Sequence, residues 1–525
     1  MSYGLDGRRT TRRKVLAGSL GAGVAMLLVA CSQSTSPASP TTAAAGSSAA
    51  APTAAPTSAA ATTAATAQPT AAAAAAAPTA AATTAAAAQP TAAAAAAAPT
   101  AAATTAAVAQ PTVAAAAAPA VNPTPSNATG TLTFWGHSDH PMDKAVPGFQ
   151  KRFPNVKMDW QHLGDWLTKF KATLASGQGV PDLVWLEATD VQNFGSQGVL
   201  LDVTENLKPV KDQFTTGKLA EVFIVKKQQY VAMPGDTGLV GLWYRPDLLT
   251  AAGINGFPQD MTFDQFVANA AQLHQKTGVA AYLFPSAGWS WPYEIILSQV
   301  GGSITSLDGT TVTIDDAKGI QAMGLLKQLW DTKSNLDTAW LKADYYAAVK
   351  SGKIAADFMP AWMRGFFESE LKTPADGAGK WQVMAMPAVK GGVSRTAQIG
   401  GASLASTKFT KVPDVTWAFM QYALGSQEGC DATGGWGILP SWIPYLKSDS
   451  FINTKSPVFG DFQFNKVWSE LATTLSPAYA RTAVFSEADA DITQNIMPIL
   501  TGKTTPVDGM HSLGNMIRQA NQRYQ

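Results

Sequence analysis

The stretch Lys171–Glu187, KATLASGQGVPDLVWLE, decides the fold class. It closes an amphipathic helix, DWLTKFKATLAS (165–176), at Gly177, then passes Gly179 and Pro181 into a short apolar run. A run of that length between Gly and Pro reads as a strand buried on both faces, as in a parallel sheet covered by helices. The same alternation surrounds it. TLTFW (131–135) and VKMDWQ (156–161) read as strands, and MDKAVPGFQKRF (142–153) as a helix between them. LVGLWYR (239–245) is strand-like further on. In TFDQFVANAAQLHQKTG (262–278), Thr262 stands as N-cap, Gln265 completes a capping box and Gly278 ends the helix. Segments 315–333 and 415–424 add two more helices. Strand–helix alternation predicts an α/β fold with mostly parallel sheets. Ligands of such folds bind outside the carboxyl ends of the strands.

This alternation fills residues 131–525, a length that suits two domains with large cores, and all 15 tryptophans lie there. The body carries 33 Lys and Arg against 36 Asp and Glu, which leaves no basic footprint for nucleic acid. The net charge of +1 for the whole chain comes from its first residues.

Arg8, Arg9, Arg12, Arg13 and Lys14 precede an apolar run, Val15–Ala30, that is short for a membrane span. Residues 1–30 therefore read as a signal peptide. Thr11–Leu16, TRRKVL, resembles a twin-arginine signal, with Val15 where the pattern prefers Phe, and ordinary secretion stays open. Leu28-Val29-Ala30-Cys31 resembles a bacterial lipobox, which implies lipidation of Cys31 and cleavage before it. Two or three acyl chains hold a protein firmly at a membrane, where one holds marginally. The other cysteine, Cys430, is then left without a partner and no disulfide is expected.

Residues 32–129 contain no charged and no aromatic side chain. Gln-Pro-Thr recurs at 68–70, 89–91 and 110–112, a spacing of 21 residues, but no unit carries a large apolar group to bury. Proline interrupts each alanine run. The tract 31–129 reads as a disordered tether behind the lipidated cysteine, with a coil reach of about 50–60 Å.

Nine segments of the body occur in a telling order. They are FQKRFPNVKM (149–158), KATLASGQGVPDLVWLE (171–187), QGVLLDVTENL (197–207), VAMPGDTGLVGLWYRPDLLTAAGI (231–254), MTFDQFVANAAQL (261–273), SGKIAADFMPAW (351–362), GKWQVMAMP (379–387), GGASLASTK (400–408) and GWGILPS (435–441). Together they resemble family 1 extracellular solute-binding proteins, the sugar receptors of ABC importers. The resemblance implies a type II periplasmic binding protein-like fold: two lobes, each a mostly parallel sheet flanked by helices, closing on ligand by a hinge. It places lobe one at 131–236 and 393–437, and lobe two at 238–392 and 438–525. Crossovers are expected near Gly235–Thr237, Gly391–Val393 and Gly437–Ile438. It also implies a lipid-anchored monomer on the outer face of the membrane, delivering carbohydrate to permease subunits without any cofactor.

A sugar offers an apolar face and a ring of hydroxyls, so its site needs aromatic plates and planar polar groups. Trp135 ends the first strand and opens the loop GHSDHP, where Asp139 is a candidate hydroxyl acceptor. His137 and His140 flank it, which leaves a metal reading open. Glu187 stands at the end of PDLVWLE, and Asp236 at the first expected crossover. Trp289 lies in SAGWSWPYE, a stretch that reads as a loop. Trp362 and Arg364 lie in FMPAWMRG, Ser403 in GGASLAS and Trp436 between glycines in GGWGILPS. The family resemblance supports Trp289 and Trp362 in particular. Trp185, Trp243 and Tyr244 read as core.

No G-x-S-x-G elbow, Walker loop or G-x-G-x-x-G occurs, so a binding protein and not an enzyme is expected. Three alternatives remain: a secreted glycosidase using a carboxylate pair, a receptor for a glycerol phosphate, and a metal-ion receptor using Tyr345-Tyr346.

Overall fold

The computed structural model describes residues 128–136, 141–434, 437–472 and 481–525, all within one compact unit, 116–525. The expected signal, Cys31 and the tether lie outside the described residues, as do His137, Asp139, His140 and Trp436.

The first sheet is built from β1 (Gly130–Gly136), β2 (Val156–His162) and β3 (Leu183–Glu187). β1 pairs parallel with β2 on one side and with β3 on the other. Between β2 and β3 runs α1 (Trp166–Ser176), which buries Trp166 and Phe170 and ends at Gly177 in the left-handed conformation. α2 (Ala188–Ser196) follows β3 without a break, and α3 (Thr216–Glu221) comes after it.

The second sheet starts with β4 (Val240–Tyr244), buried at every position. α4 (Phe263–Thr277) has the expected capping box: the Gln265 amide donates to Thr262 Oγ1 at 3.2 Å, and the Thr262 amide donates to Gln265 Oε1 at 2.8 Å. α5 (Trp291–Gln299) starts at Trp291, where a loop was expected, because Pro292 supplies a preset helical φ at its start. β5 (Ala356–Pro360), α6 (Met363–Glu370) and β6 (Gln382–Met384) complete this half. The chain then returns to the first sheet as β7 (Ala402–Ser406), followed by α7 (Pro413–Gly425). α8 (Phe485–Leu500) packs back on the second half with Ala488, Ile492, Ile496 and Ile499 buried at helical spacing.

The fold class is α/β as expected, but the sheets are mixed. The first has the order β7-β3-β1-β2, with β7 antiparallel to β3. The second has the order β6-β4-β5 and is antiparallel throughout, where a mostly parallel sheet was expected. The connection explains the difference. β4 and β7 carry the chain away from the crossing point, whereas β3 and β5 end there. Outgoing and incoming strands that share a sheet must run in opposite directions.

Apolar clusters cover both sheets. Phe170, Val184, Leu186 and Val191 pack on one side of the first, and Leu242, Phe266, Phe358 and Met384 on one side of the second. A third cluster contains Phe134 and Phe419 from the first half together with Trp243, Phe367 and Trp468 from the second. Trp185 and Trp243 are fully buried, as their sequence setting suggests.

Three segments pass between the sheets and bond to one another. The Ile399 amide donates to the Gly238 carbonyl at 2.8 Å, the Asp236 amide to Ala402 at 2.8 Å, and the Thr237 amide to Leu439 at 2.8 Å. The second crossing is therefore at Gln398–Ala402. The glycine pair expected to mark it, Gly391-Gly392, instead forms a turn in which the Gly392 amide bonds Val389.

Candidate binding site at the strand crossings

Strand ends and crossing segments converge on one region. Glu187, the last residue of β3, lies opposite Ala402, the first of β7, and is half-buried. Asp190 follows one turn into α2. Burial and the neighbouring Glu187 push its carboxyl up to about 6, against the pull of Lys171. Ser403 lies opposite Leu186, buried, with no hydrogen-bond partner for its hydroxyl among the described residues. Asp236 is buried in the first crossing and accepts from the Leu439 amide at 3.0 Å. Its burial lifts the carboxyl to about 7, although Lys218 opposes this.

The second half contributes aromatics. Trp362 follows β5 directly and donates through Nε1 to the Ile399 carbonyl at 3.1 Å. Its ring centroid lies 5.4 Å from Trp340, which lies 5.3 Å from Trp289 and 4.9 Å from Trp291. Trp289 and Trp291 stack at 5.4 Å. All four are half-buried, so each keeps part of its surface open. Trp362 stands just past the end of β5, Trp291 opens α5, and Trp289 and Trp340 lie in irregular stretches beside Gly288 and Asp337. Trp340 was not singled out from sequence. The signal was the same as for Trp289, a tryptophan in a stretch without helical rhythm.

Below this cluster, Glu294 of α5 is fully buried with Arg481 Nη2 at 3.6 Å, and Ser290 donates to Asp489. Burial pushes Glu294 up to about 8, with Arg481 opposing and Asp489 adding to the rise.

Two expected site residues stand elsewhere. Trp135 is 4% exposed, packed in the cluster of Trp166 and Phe170, with the Lys169 ammonium 4.4 Å from its ring centroid. Arg364 is buried behind Trp362. Its Nη2 donates to the Gly434 carbonyl at 2.6 Å, its Nε lies 3.8 Å from Glu368, and its guanidinium lies over Phe464. The cavity beside it, about 10 Å³ and lined by Ala361, Leu439 and Trp468 among others, has room for about one water. The Tyr345 hydroxyl is buried and donates to Met359 Sδ at 3.2 Å, and burial holds the phenol well above its ordinary pKa. No group of three His, Cys, Asp or Glu is arranged to hold a metal among the described residues.

Four carboxyls share one consequence. Half-buried Asp190 stands at about 6, buried Asp236 and Glu294 at about 7 and 8, and Asp357, buried within β5, at about 7. Each binds its proton more tightly folded than unfolded. Their contribution to stability is complete below the unfolded carboxylate pKa and is lost as pH rises through the folded values. Carboxyls held low, such as Asp308 at about 2, stay ionised in both states over that window. Thermal unfolding should therefore show a falling midpoint from about pH 5.5 to about pH 8.5. A midpoint that rises over this range contradicts the assignment.

Known proteins share the family and the fold. Residues 135–429 match the family model of the bacterial extracellular solute-binding protein. An arabinooligosaccharide-binding protein of Halalkalibacterium halodurans is 26% identical over 59% of this chain and 71% of its own length. A lactose-binding protein of Rhizobium radiobacter is 24% identical over 65% of this chain and 79% of its own. Among solved structures, the GacH receptor of Streptomyces glaucescens superposes with a TM-score of 0.61 at 23% identity, covering 76% of this chain and 100% of that one. The sugar-binding protein MalE of Xanthomonas citri gives 0.63 at 17%, over 75% and 98%. The fold is that of the type II periplasmic sugar-binding proteins. Since the family model spans more than half of its length, the chain belongs to the bacterial extracellular solute-binding protein family.

Proposed function

We propose that the protein is the extracytoplasmic binding component of an ABC importer and captures an oligosaccharide between its two halves. The observation that carries this reading is the group of Trp289, Trp291, Trp340 and Trp362, joined to the second crossing by the bond from Trp362 to Ile399, with Glu187 and Asp236 both beside Ala402 of the same segment. Tryptophan faces suit the C–H faces of sugar rings, and buried carboxyl and hydroxyl groups suit their hydroxyls. The rings meet at angles from 26° to 88° and so offer both faces and edges, and the arabinooligosaccharide-binding relatives favour an oligosaccharide as the ligand. Sites of this kind reject analogues that leave a polar group unpaired.

In the same reading, residues 1–30 direct export, Cys31 carries the lipid and the tract to 129 tethers the receptor. The halves, expected as 131–236 with 393–437 and 238–392 with 438–525 but divided at the second crossing, 398–402, close by hinge rotation and the closed monomer engages the permease. Closed and open forms must differ in their affinity for the permease, or capture carries no signal.

A thermal-shift screen tests the reading. Linear arabino-oligosaccharides, lactose, galactobiose and malto-oligosaccharides form the panel, with a glycerol phosphate and ferric ion as controls. A ligand at about 100 times its Kd should add about 2.7 kcal/mol of stability. A shift from an oligosaccharide supports the proposal. A shift from a control alone contradicts it.

A further inference from the structure

The second crossing is held from both sides by side chains of the two halves. Lys218 is 0% exposed, and its ammonium lies 2.8 Å from Glu221 Oε2, one turn along α3. The same Nζ donates to the Gly401 carbonyl at 2.7 Å. The other carboxylate oxygen of Glu221 accepts from the Gln398 amide, and Gln398 Oε1 accepts from Thr237 Oγ1 at 3.3 Å. α3 belongs to the first half: Gln192 of α2 donates to the carbonyls of Glu221 and Phe223 at 2.8 and 3.1 Å. Two residues before Gly401, the Ile399 carbonyl is held by Trp362 of the second half. Only Gly400 separates the two anchored carbonyls.

A buried ion pair seldom stabilises a fold better than apolar side chains of the same volume. This one binds main-chain atoms instead of filling the core. Gly400 and Gly401 have φ of +66° and +87°, where other residues are strained. Added Cβ atoms would come within 3.4 Å of the Trp362 ring nitrogen and 2.4 Å of the Asp236 carbonyl, respectively. The backbone is thus tied to the first half at 398 and 401 and to the second at 399, with two positive-φ glycines at 400 and 401.

The geometry points to Lys218 and Glu221 as positioning residues for the cleft, a clamp that ties the second crossing to the first half at Gln398 and Gly401. The inference rests on the proposed capture function for its consequence. By holding Gln398 and Gly401 while Trp362 holds Ile399, the clamp fixes how the tryptophan cluster sits against the crossing segments when the halves meet. A loosened clamp leaves every sugar contact in place but lets closure miss its register.

The test uses the double variant Lys218→Met/Glu221→Gln in the full chain. It removes both charges of the pair together and keeps the side-chain volumes; Asp236, losing the pull of Lys218, is pushed further above the ordinary carboxyl range. Gln398→Ala, which leaves the ion pair intact, is the second variant. Hydrogen exchange without ligand is the first readout. Faster exchange confined to the peptides covering 236–239 and 398–402 is expected in both variants. Unchanged exchange there, or an increase spread over the whole molecule, overturns the inference. Affinity for whichever oligosaccharide shifts the parent protein is the second readout. It should fall about tenfold through faster dissociation at a near-parental unfolding midpoint. Parental affinity in the double variant also overturns the clamp. If no oligosaccharide binds the parent, the capture reading fails by itself and the exchange data still decide the clamp.

Discussion

Trp362→Ala should weaken oligosaccharide binding by about 100-fold or more while the protein remains folded. The ring closes one end of the four-tryptophan group and is fixed by its Nε1 bond to the Ile399 carbonyl at 3.1 Å. Truncation removes a stacking face and releases the crossing segment in one step. Buried aromatic anchors commonly cost about 2–4 kcal/mol when cut to Ala, and each 1.4 kcal/mol is about tenfold in Kd. Trp362 is half-buried and sits at the margin of the apolar cluster, so its loss leaves the sheets intact. Titration calorimetry beside a thermal melt checks both halves of the statement. Parental affinity removes Trp362 from the site.

Trp243→Ala should act in the opposite way, through the fold. This tryptophan is fully buried on β4, with ring centroids of Phe459, Phe367 and Trp468 within 5.0 to 6.3 Å. Its Nε1 donates to the Met359 carbonyl of β5 at 3.0 Å. A Trp→Ala change in such a core costs about 3–5 kcal/mol through lost transfer energy and the cavity left behind. Denaturant unfolding should show that loss, and ligand affinity of the remaining folded fraction should be unchanged. A loss under about 1 kcal/mol contradicts its place as the centre of that cluster.

These two tryptophans show what could be read from sequence. Trp243 sits inside the short apolar run LVGLWYR, and a run of that length reads as a buried strand. Trp362 sits just past one, and strand ends are where sites form. Strand existence and the capping box of α4 are local facts, carried by spacing and turn chemistry. Strand direction in the second sheet is not local. It follows from where the chain crosses, and the crossing lies at Gly400-Gly401 instead of the equally glycine-rich Gly391-Gly392. Nothing in either dipeptide distinguishes a turn glycine from a crossing glycine. Lys218 and Glu221 were equally hidden, because an i, i+3 charge pair on a short helix normally faces water. Only tertiary contact with Gly401 and Gln398 shows them buried. Arg364 misleads in reverse: beside Trp362 in sequence, it points behind the aromatic plate towards Gly434.

The central claim is capture of an oligosaccharide without chemical change. Titration calorimetry of the purified protein against the oligosaccharide panel, with chromatography of the recovered sugar, tests it most directly. The account predicts saturable binding of one sugar per protein and recovery of that sugar intact. Hydrolysed sugar, or no binding by any member of the panel, would contradict it.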